Sequence, residues 1–232
     1  MARFRRPASG LDLKSSATDP VSDADREAEA LIARELAAAR PDDGLLAEEG
    51  SHAEAGSGRR WIVDPLDGTV NYLYGHAAWA VSIALEDADG LAVGVVHDPA
   101  RGETFAAARG RGCTLNGEPV RVTSAERLET ALVATGFGYS AERRRFQAEQ
   151  LVEVLPRVRD IRRGGSAALD LAWVAAGRLD GYWERGLKPW DWAAGRLLVE
   201  EAGGATRWLD GEPQGLAAAN PRLLPALVDL VS

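Results

Sequence analysis

The sequence predicts a mixed α+β and α/β protein built as two lobes, and three observations carry that reading. Short β-branched and apolar runs recur between Ala78 and Ala108 with turn residues between them, the signature of an antiparallel meander. From Ala131 the pattern changes to strand-like runs alternating with helical ones, which predicts a second, alternating half. The change falls near residue 125, so the expected lobes are 1–125 and 126–232.

Taken in order, the segment from Leu11 to Pro20 is polar and reads as a loop. A helix is expected from Ser22 to Arg40, with Ala28, Leu31, Ile32 and Leu36 on one face. Ser22 with Asp25 three residues on forms a capping-box pattern, which is the structural reading of Asp25. Pro41–Gly44 closes the helix. Leu45–Ala47 is a short apolar run entering Glu48-Glu49, and Ser51–Gly58 reads as a small, flexible connection.

Trp61–Val63 is expected to be a strand stopped by Pro65, since proline has no N–H to donate and restricts the residue before it. Asp67-Gly68-Thr69 then has the chemistry of a helix start with Asp67 as N-cap. The meander strands are Ala78–Leu85, Leu91–His97 and Glu103–Ala108, and Asn116-Gly117 is a tight turn. Arg109 and Arg111 read as solvated. In the alternating half, strands are expected at 131–135, 158–162, 181–184 and 205–209. Helices are expected at 141–155, 166–176, 190–202 (ended by Gly203-Gly204) and 221–231.

Acidic residues outnumber basic ones by 35 to 27, for a formal charge of −8. That balance argues against general nucleic-acid affinity, which needs clustered Lys and Arg. The longest apolar stretches are far short of the ~20 residues that cross a bilayer. The basic N-terminus is not followed by a signal-peptide core, so a cytoplasmic protein with no membrane partner is expected. One cysteine, Cys113, excludes an intrachain disulfide, and three scattered histidines give poor support for zinc or iron. If a metal binds, oxygen ligands must hold it.

Glu48-Glu49, Asp64, Asp67 and Asp191 each lie at the end of a regular element. Each alone has a structural reading; Asp191, for instance, complements a helix dipole. Together they suit Mg²⁺, which takes oxygen ligands. Two such ions about 3.5–4 Å apart can activate a water and neutralise a leaving oxygen. The N–H groups of Gly68 and Thr69 favour a bound anion.

On these residues the chain resembles the inositol monophosphatase family. DPLDGTVN (64–71) matches its signature DPxDGTxN, and PWDWAAGRLLVEEAGG (189–204) matches WDxAAGxxxxxEAGG. KSSATDPVSDAD, LLAEEGS and GGSAALDLAWVAAGRLDGYWE support them, so the likeness runs from about Lys14 to the last helix. It implies a layered αβαβα sandwich, usually a homodimer, and typical inhibition by lithium. Glu48, Asp64 and the Leu66 carbonyl would hold a first Mg²⁺; Asp64, Asp67 and Asp191 would hold a second; Glu48 would also contact a third, weaker ion. Phosphate would lie on Gly68 and Thr69, and Asp25 and Thr69 would orient the attacking water. Asp67, Glu184, Asp191 and the Gly165-Ser166-Ala167 backbone would contact the substrate.

The implied activity is hydrolysis of inositol monophosphate or a related polyol or sugar phosphate. Histidinol phosphate, fructose 1,6-bisphosphate and 3′-phosphoadenosine nucleotides are alternatives on the same scaffold. A non-catalytic regulatory or binding protein is the alternative of a different class. Three departures stand out. Ala47 replaces a common glycine and Cys113 a small alanine, read as a buried small hydrophobe. The chain also begins where relatives have already made most of a first helix. That leaves a short helix or a misassigned start, with lobe packing or dimer formation expected to suffer.

Overall fold

The computed structural model describes residues 4–5, 9–14 and 20–232. The loop expected at Leu11–Pro20 lies partly outside them, at 15–19. Its described ends form a small antiparallel ribbon, β1 (Asp12–Leu13) with β2 (Pro20–Val21).

Helix α1 (Asp23–Ala39) starts at Ser22, whose hydroxyl accepts from Ala24 N while Asp25 accepts from Ser22 N: the capping box is made. Ile32, Ala33 and Leu36 pack on Leu45, Ala47 and Val63. Leu31 does not join them; it is exposed. The inward stripe is 25, 29, 32 and 36, and its first two members are the buried carboxylates Asp25 and Glu29. An apolar-only reading of the periodicity places the face one residue off, because this helix points its polar end into the molecule.

The first sheet has eight strands: β3 (Gly44–Ala47), β4 (His52–Ala53), β5 (Arg60–Asp67), β6 (Ala80–Asp87), β7 (Gly90–Asp98), β8 (Glu103–Ala108), β9 (Cys113–Leu115) and β10 (Glu118–Val120). Their order is β10-β9-β8-β7-β6-β5-β3-β4. Every pairing is antiparallel except β3 with β5. The expected meander is β6–β8. Asn116 and Gly117 both have positive φ, 50° and 88°, which suits the two-residue turn between β9 and β10. Five-residue helix α2 (Thr69–Leu73) interrupts the sheet between β5 and β6.

The second sheet is formed by β11 (Leu132–Thr135), β12 (Asp160–Arg162), β13 (Gly181–Arg185), β14 (Ala205–Leu209) and β15 (Gly215–Ala219), in the order β12-β11-β13-β15-β14. Helices α3 (Ala141–Val154), α4 (Ala167–Ala175), α5 (Pro189–Glu201) and α6 (Leu224–Val231) complete the chain. The last helix starts three residues later than expected, because Asn220 Oδ1 accepts from Arg222 N and Leu223 N and turns the chain first.

Helix α1 covers one face of the first sheet, α4 and α5 lie between the sheets, and α6, with α3 against it, covers the far face of the second. The order is therefore α, β, α, β, α. The largest apolar cluster joins the layers, running from Ile62, Val96 and Phe105 through Leu171 and Leu198 to Tyr182 and Leu216. Close approach of α5 to the first sheet is permitted by Gly94 in β7, where an added Cβ would lie 2.8 Å from the Ala194 carbonyl oxygen. Among the described residues, no helix is long and apolar enough to cross a membrane.

Candidate active site

Strand β5 does not end at Pro65. It runs on to Asp67, and its register with β6 is irregular between Asp64 and Asp67. Pro65 has no N–H for the ladder, so the strand buckles there instead of stopping. The buckle holds Asp64, 1% exposed, with its Oδ1 accepting from Leu66 N at 2.9 Å.

Asp67 is not the cap of α2. Gly68 occupies that position at φ 93°, with no side-chain cap bond. The Asp67 carboxylate instead reaches the start of α4, where Oδ2 accepts from Ser166 Oγ and Ala168 N, both at 2.7 Å. Only glycine fits at position 68: besides the positive φ, a Cβ would lie 2.9 Å from the Ala78 carbonyl oxygen and 3.2 Å from that of Gly165.

Thr69 Oγ1 donates to Asp25 Oδ1 at 2.9 Å, across 44 residues of sequence, with the Leu66 carbonyl 3.2 Å away. The other oxygen of Asp25 accepts from Ser22 N and Ser22 Oγ. The capping role and the site role of Asp25 therefore coexist, one on each oxygen.

Glu48 follows β3, and its backbone N–H donates to Val63 O at 3.1 Å, which fixes it beside β5. Asp191 stands in the first turn of α5 and accepts from Lys188 N at 2.7 Å. Ser82 Oγ donates to Trp190 O, tying that turn to β6. Glu184 on β13 accepts from the Tyr182 hydroxyl at 2.8 Å.

Glu48, Asp64, Leu66, Asp67, Gly68, Thr69, Gly165, Ala167, Glu184 and Asp191 line one cavity of about 500 Å³. Asp25 and Ser166 stand directly behind its wall, bonded to Thr69 and Asp67. Residues from five separate stretches of the chain thus meet in one place.

The charges there conflict. Burial, then the charges of Glu48, Asp67 and Asp191, hold the Asp64 carboxyl well above its usual range. Burial and the Asp67 charge do the same to Asp191, against the help of the Lys188 N–H. Burial raises Asp67 to about 7 although Ser166 and Ala168 donate to it. Burial is the largest cause in all three and like-charge repulsion adds to it, so a bound cation would stabilise the ionised form of each.

Among the described residues, no three His, Cys, Asp or Glu side chains converge as they stand tightly enough to hold an ion. Part of the need is met by Lys14, whose ammonium contacts Glu48 at 2.8 Å and Glu49 at 2.6 Å. Burial opposes the charge on Lys14, but the two carboxylates prevail and hold its pKa above normal. The donor set is all oxygen and strongly acidic, and it fits a hard divalent cation rather than zinc or copper.

Sequence reasoning missed several contributors. Glu29, 3% exposed, accepts from Glu49 N and Ser51 N at 2.6 and 2.8 Å and holds the Glu48-Glu49 turn. Its spacing of four from Asp25 on one helix face was the available signal. Asn71 Nδ2 donates to Ala78 O and Gly164 O, linking α2 to the glycine turn before α4. Gln147 is buried and braces the cavity rim, donating to Gly136 O and accepting from Gly138 N; nothing in its local pattern marks it.

The family model described as "Inositol monophosphatase family" matches residues 2–230. The chain belongs to the inositol monophosphatase family. The inositol-1-monophosphatase SuhB of Mycobacterium tuberculosis is 47% identical over 199 residues, which cover 82% of this chain and 69% of that protein. The Nus factor SuhB of Salmonella typhimurium is 40% identical over 225 residues, 93% of this chain and 83% of that one. The crystal structure of the extragenic suppressor protein suhB from Bartonella henselae superposes with a TM-score of 0.90 at 42% identity, covering 96% of this chain and 88% of that one. This member of the inositol monophosphatase family is a phosphoric monoester hydrolase, and the family is generally metal-dependent.

Proposed function

We propose that the chain hydrolyses inositol monophosphate or a closely related polyol or sugar phosphate in the presence of Mg²⁺. The observation that carries this reading is the meeting of Glu48, Asp64, Asp67 and Asp191 with Gly68 and Thr69 on one cavity wall. Glu48, Asp64 and the Leu66 carbonyl would hold one Mg²⁺; Asp64, Asp67 and Asp191 would hold another; Glu48 would share a third, weaker one. When bound, these ions supply positive charge to the phosphate and lower the pKa of water.

The chain's own residues do the positioning. The Thr69 hydroxyl directs its proton to Asp25. Its oxygen is therefore left to accept a hydrogen bond from a water attacking phosphorus in line. As that water gives its proton to Thr69, Thr69 gives its own to Asp25, whose carboxylate is neutralised while the hydroxide oxygen bonds to phosphorus. Gly68 and Thr69 N–H groups receive phosphate oxygens; a five-residue helix adds little macrodipole, so the two amides carry this contact themselves. Glu184 and the Gly165-Ser166-Ala167 backbone, with Asp67 and Asp191, accept from and donate to substrate hydroxyls. We place the working enzyme in the cytoplasm as a homodimer.

The test is release of phosphate with Mg²⁺ from inositol 1-phosphate, histidinol phosphate, fructose 1,6-bisphosphate and a 3′-phosphoadenosine nucleotide. Inositol 1-phosphate is expected to be turned over fastest, and no release from any of the four would sink the reading. A second reading, association with a macromolecular partner, is favoured by the Nus factor name of the Salmonella relative. If that association is the function, an Asp64→Asn variant keeps it after losing all turnover.

A further inference from the structure

The Glu184 carboxylate has a seat built from two groups that the catalytic reading leaves unused. In the register of β13 with β11, Tyr182 pairs with Ala134 and Trp183 with Thr135. Strand β11 ends at Thr135, so Gly136 comes level with Glu184. An added Cβ at Gly136 would fall 2.0 Å from Glu184 Oε2 and 2.2 Å from Oε1. The carboxylate therefore rests directly on backbone that carries no side chain. Gln147 holds that backbone in place by donating to Gly136 O.

The second group is Tyr182. Side chains two residues apart on a strand share a face, and the Tyr182 hydroxyl donates to Glu184 Oε2 at 2.8 Å. The tyrosine is fully buried in the cluster between the sheets. Burial, then the charges of Glu184 and Asp170, hold its phenol well above the usual range, so it stays a donor. Asp170, 1% exposed, has an Oδ1 with no hydrogen-bond partner among the described residues, yet the tyrosine proton goes to Glu184. Of these three side chains, Glu184 is the one that lines the cavity.

We propose that Tyr182 is a positioning residue for substrate selection: with the bare backbone of Gly136 it sets the Glu184 carboxylate to accept from a substrate hydroxyl, and so favours polyol phosphates over phosphate esters without hydroxyls. This rests on the phosphatase reading and deepens it. Without the tyrosine, Glu184 would have to be ordered by the substrate, and fixing a rotamer-rich side chain weakens binding. Held in advance, it meets the hydroxyl with a charge-assisted bond. The competing account is that a buried phenol needs an acceptor and Glu184 supplies one. The two accounts differ in which ligands respond to loss of the phenol.

The experiment compares wild type with Tyr182→Phe, Gly136→Ala and the double variant. Tyr182→Phe removes one hydroxyl and keeps the ring. Gly136→Ala reaches Glu184 from the other side: its methyl meets the end of a flexible side chain, and φ at 136 lies outside the left-handed region. The first assay is phosphate release with Mg²⁺ from inositol 1-phosphate and from phenyl phosphate, which has no hydroxyl. Each single variant is expected to raise KM for inositol 1-phosphate by ~10-fold with kcat little changed, and to leave phenyl phosphate kinetics as in wild type. The double variant is expected to lose no more than the weaker single one, because both changes act through one carboxylate.

The second assay is calorimetric titration with Mg²⁺ in a Thr69→Ala background, where hydrolysis does not intrude. Adding Tyr182→Phe is expected to weaken inositol 1-phosphate by ~10-fold and to leave inorganic phosphate unchanged. Equal losses on ligands with and without hydroxyls, unchanged binding of inositol 1-phosphate, or single losses that multiply in the double variant overturn the proposal. A lowered melting temperature with unaltered ligand preference also overturns it, since that is the purely structural outcome. Absence of turnover in wild type with the calorimetric difference intact sinks the phosphatase reading and leaves the positioning role standing.

Discussion

Several side chains that line the cavity are buried carboxylates set close to like charges, an arrangement that opposes stability, and single substitutions expose that conflict. Asp64 is buried among like charges and hydrogen-bonded with one of them, Glu48, and its bond from Leu66 N needs only an acceptor oxygen. Asp64→Asn keeps that acceptor and removes the charge. The variant is expected to lose turnover while the metal-free protein becomes more stable, by ~1 kcal/mol in urea denaturation. A destabilised variant would show that the bonds of the carboxyl to Leu66 N and Glu48 outweigh the repulsion of its like-charged neighbours. Glu29 behaves oppositely, because its two oxygens satisfy two amides of the Glu48-Glu49 turn. Glu29→Ala is expected to cost about 2–3 kcal/mol and to reduce activity through displacement of Glu48; Glu29→Gln, keeping one acceptor, should cost roughly half. Unchanged urea midpoints for both would refute this account. The acids at element ends were legible in the sequence, since each sits beside a proline, glycine or capping residue. The residues that hold them were not: Glu29, Asn71 and Gln147 are placed by contacts across 22, 93 and 11 residues.

At the scale of elements, strands with branched side chains and helices with caps were readable, as for β6–β8 and α1. Strand β15, Gly215–Ala219, was not. Its sequence GLAAA has no strand propensity, yet all five residues are buried and it pairs on both sides, with β13 and β14. Leu216 and Ala218 face the helices between the sheets, while Ala217 and Ala219 face the cluster with α6. Only small side chains fit a strand covered on both faces, so tertiary packing overrides local preference. The same economy of space appears where α5 meets β7. Gly94→Ala would push a methyl to 2.8 Å from the Ala194 carbonyl oxygen and 3.2 Å from its Cα, backbone atoms that cannot rotate away. A loss of ~1–3 kcal/mol is expected in urea denaturation. Because α5 carries Asp191, the loss should be accompanied by weaker activity. Gly90→Ala is not a fair control, since its φ is 102°; Ala92→Gly in the same strand is.

For the molecule as a whole, burial decides which groups solvent can reach. Cys113 is 3% exposed, and burial, with the nearby charge of Glu201, pushes its thiol up to about 11. Against an ordinary value of 9.0, the thiolate population at pH 8 falls roughly a hundred-fold. Native protein is expected to react with a thiol-specific disulfide reagent at least that much more slowly than urea-unfolded protein; comparable rates would place Cys113 at the surface. The layered order has a different kind of consequence. Helices α4 and α5, from the second half of the sequence, supply the apolar cover of the first sheet, so Ile62, Val96 and Phe105 have their partners more than sixty residues away in the chain. The second half has a cluster of its own around Val133, Trp183 and Leu227, but the largest cluster is completed only by residues of both halves. Residues 1–125 produced alone are expected to stay unstructured or aggregate, whereas co-production with residues 126–232 should reconstitute a soluble, active complex. The intact chain should accordingly melt in a single cooperative transition, and two resolved transitions would contradict the shared core. A protein divided in sequence would in that case be indivisible in folding, its catalytic acids assembled only when the last large helices have docked.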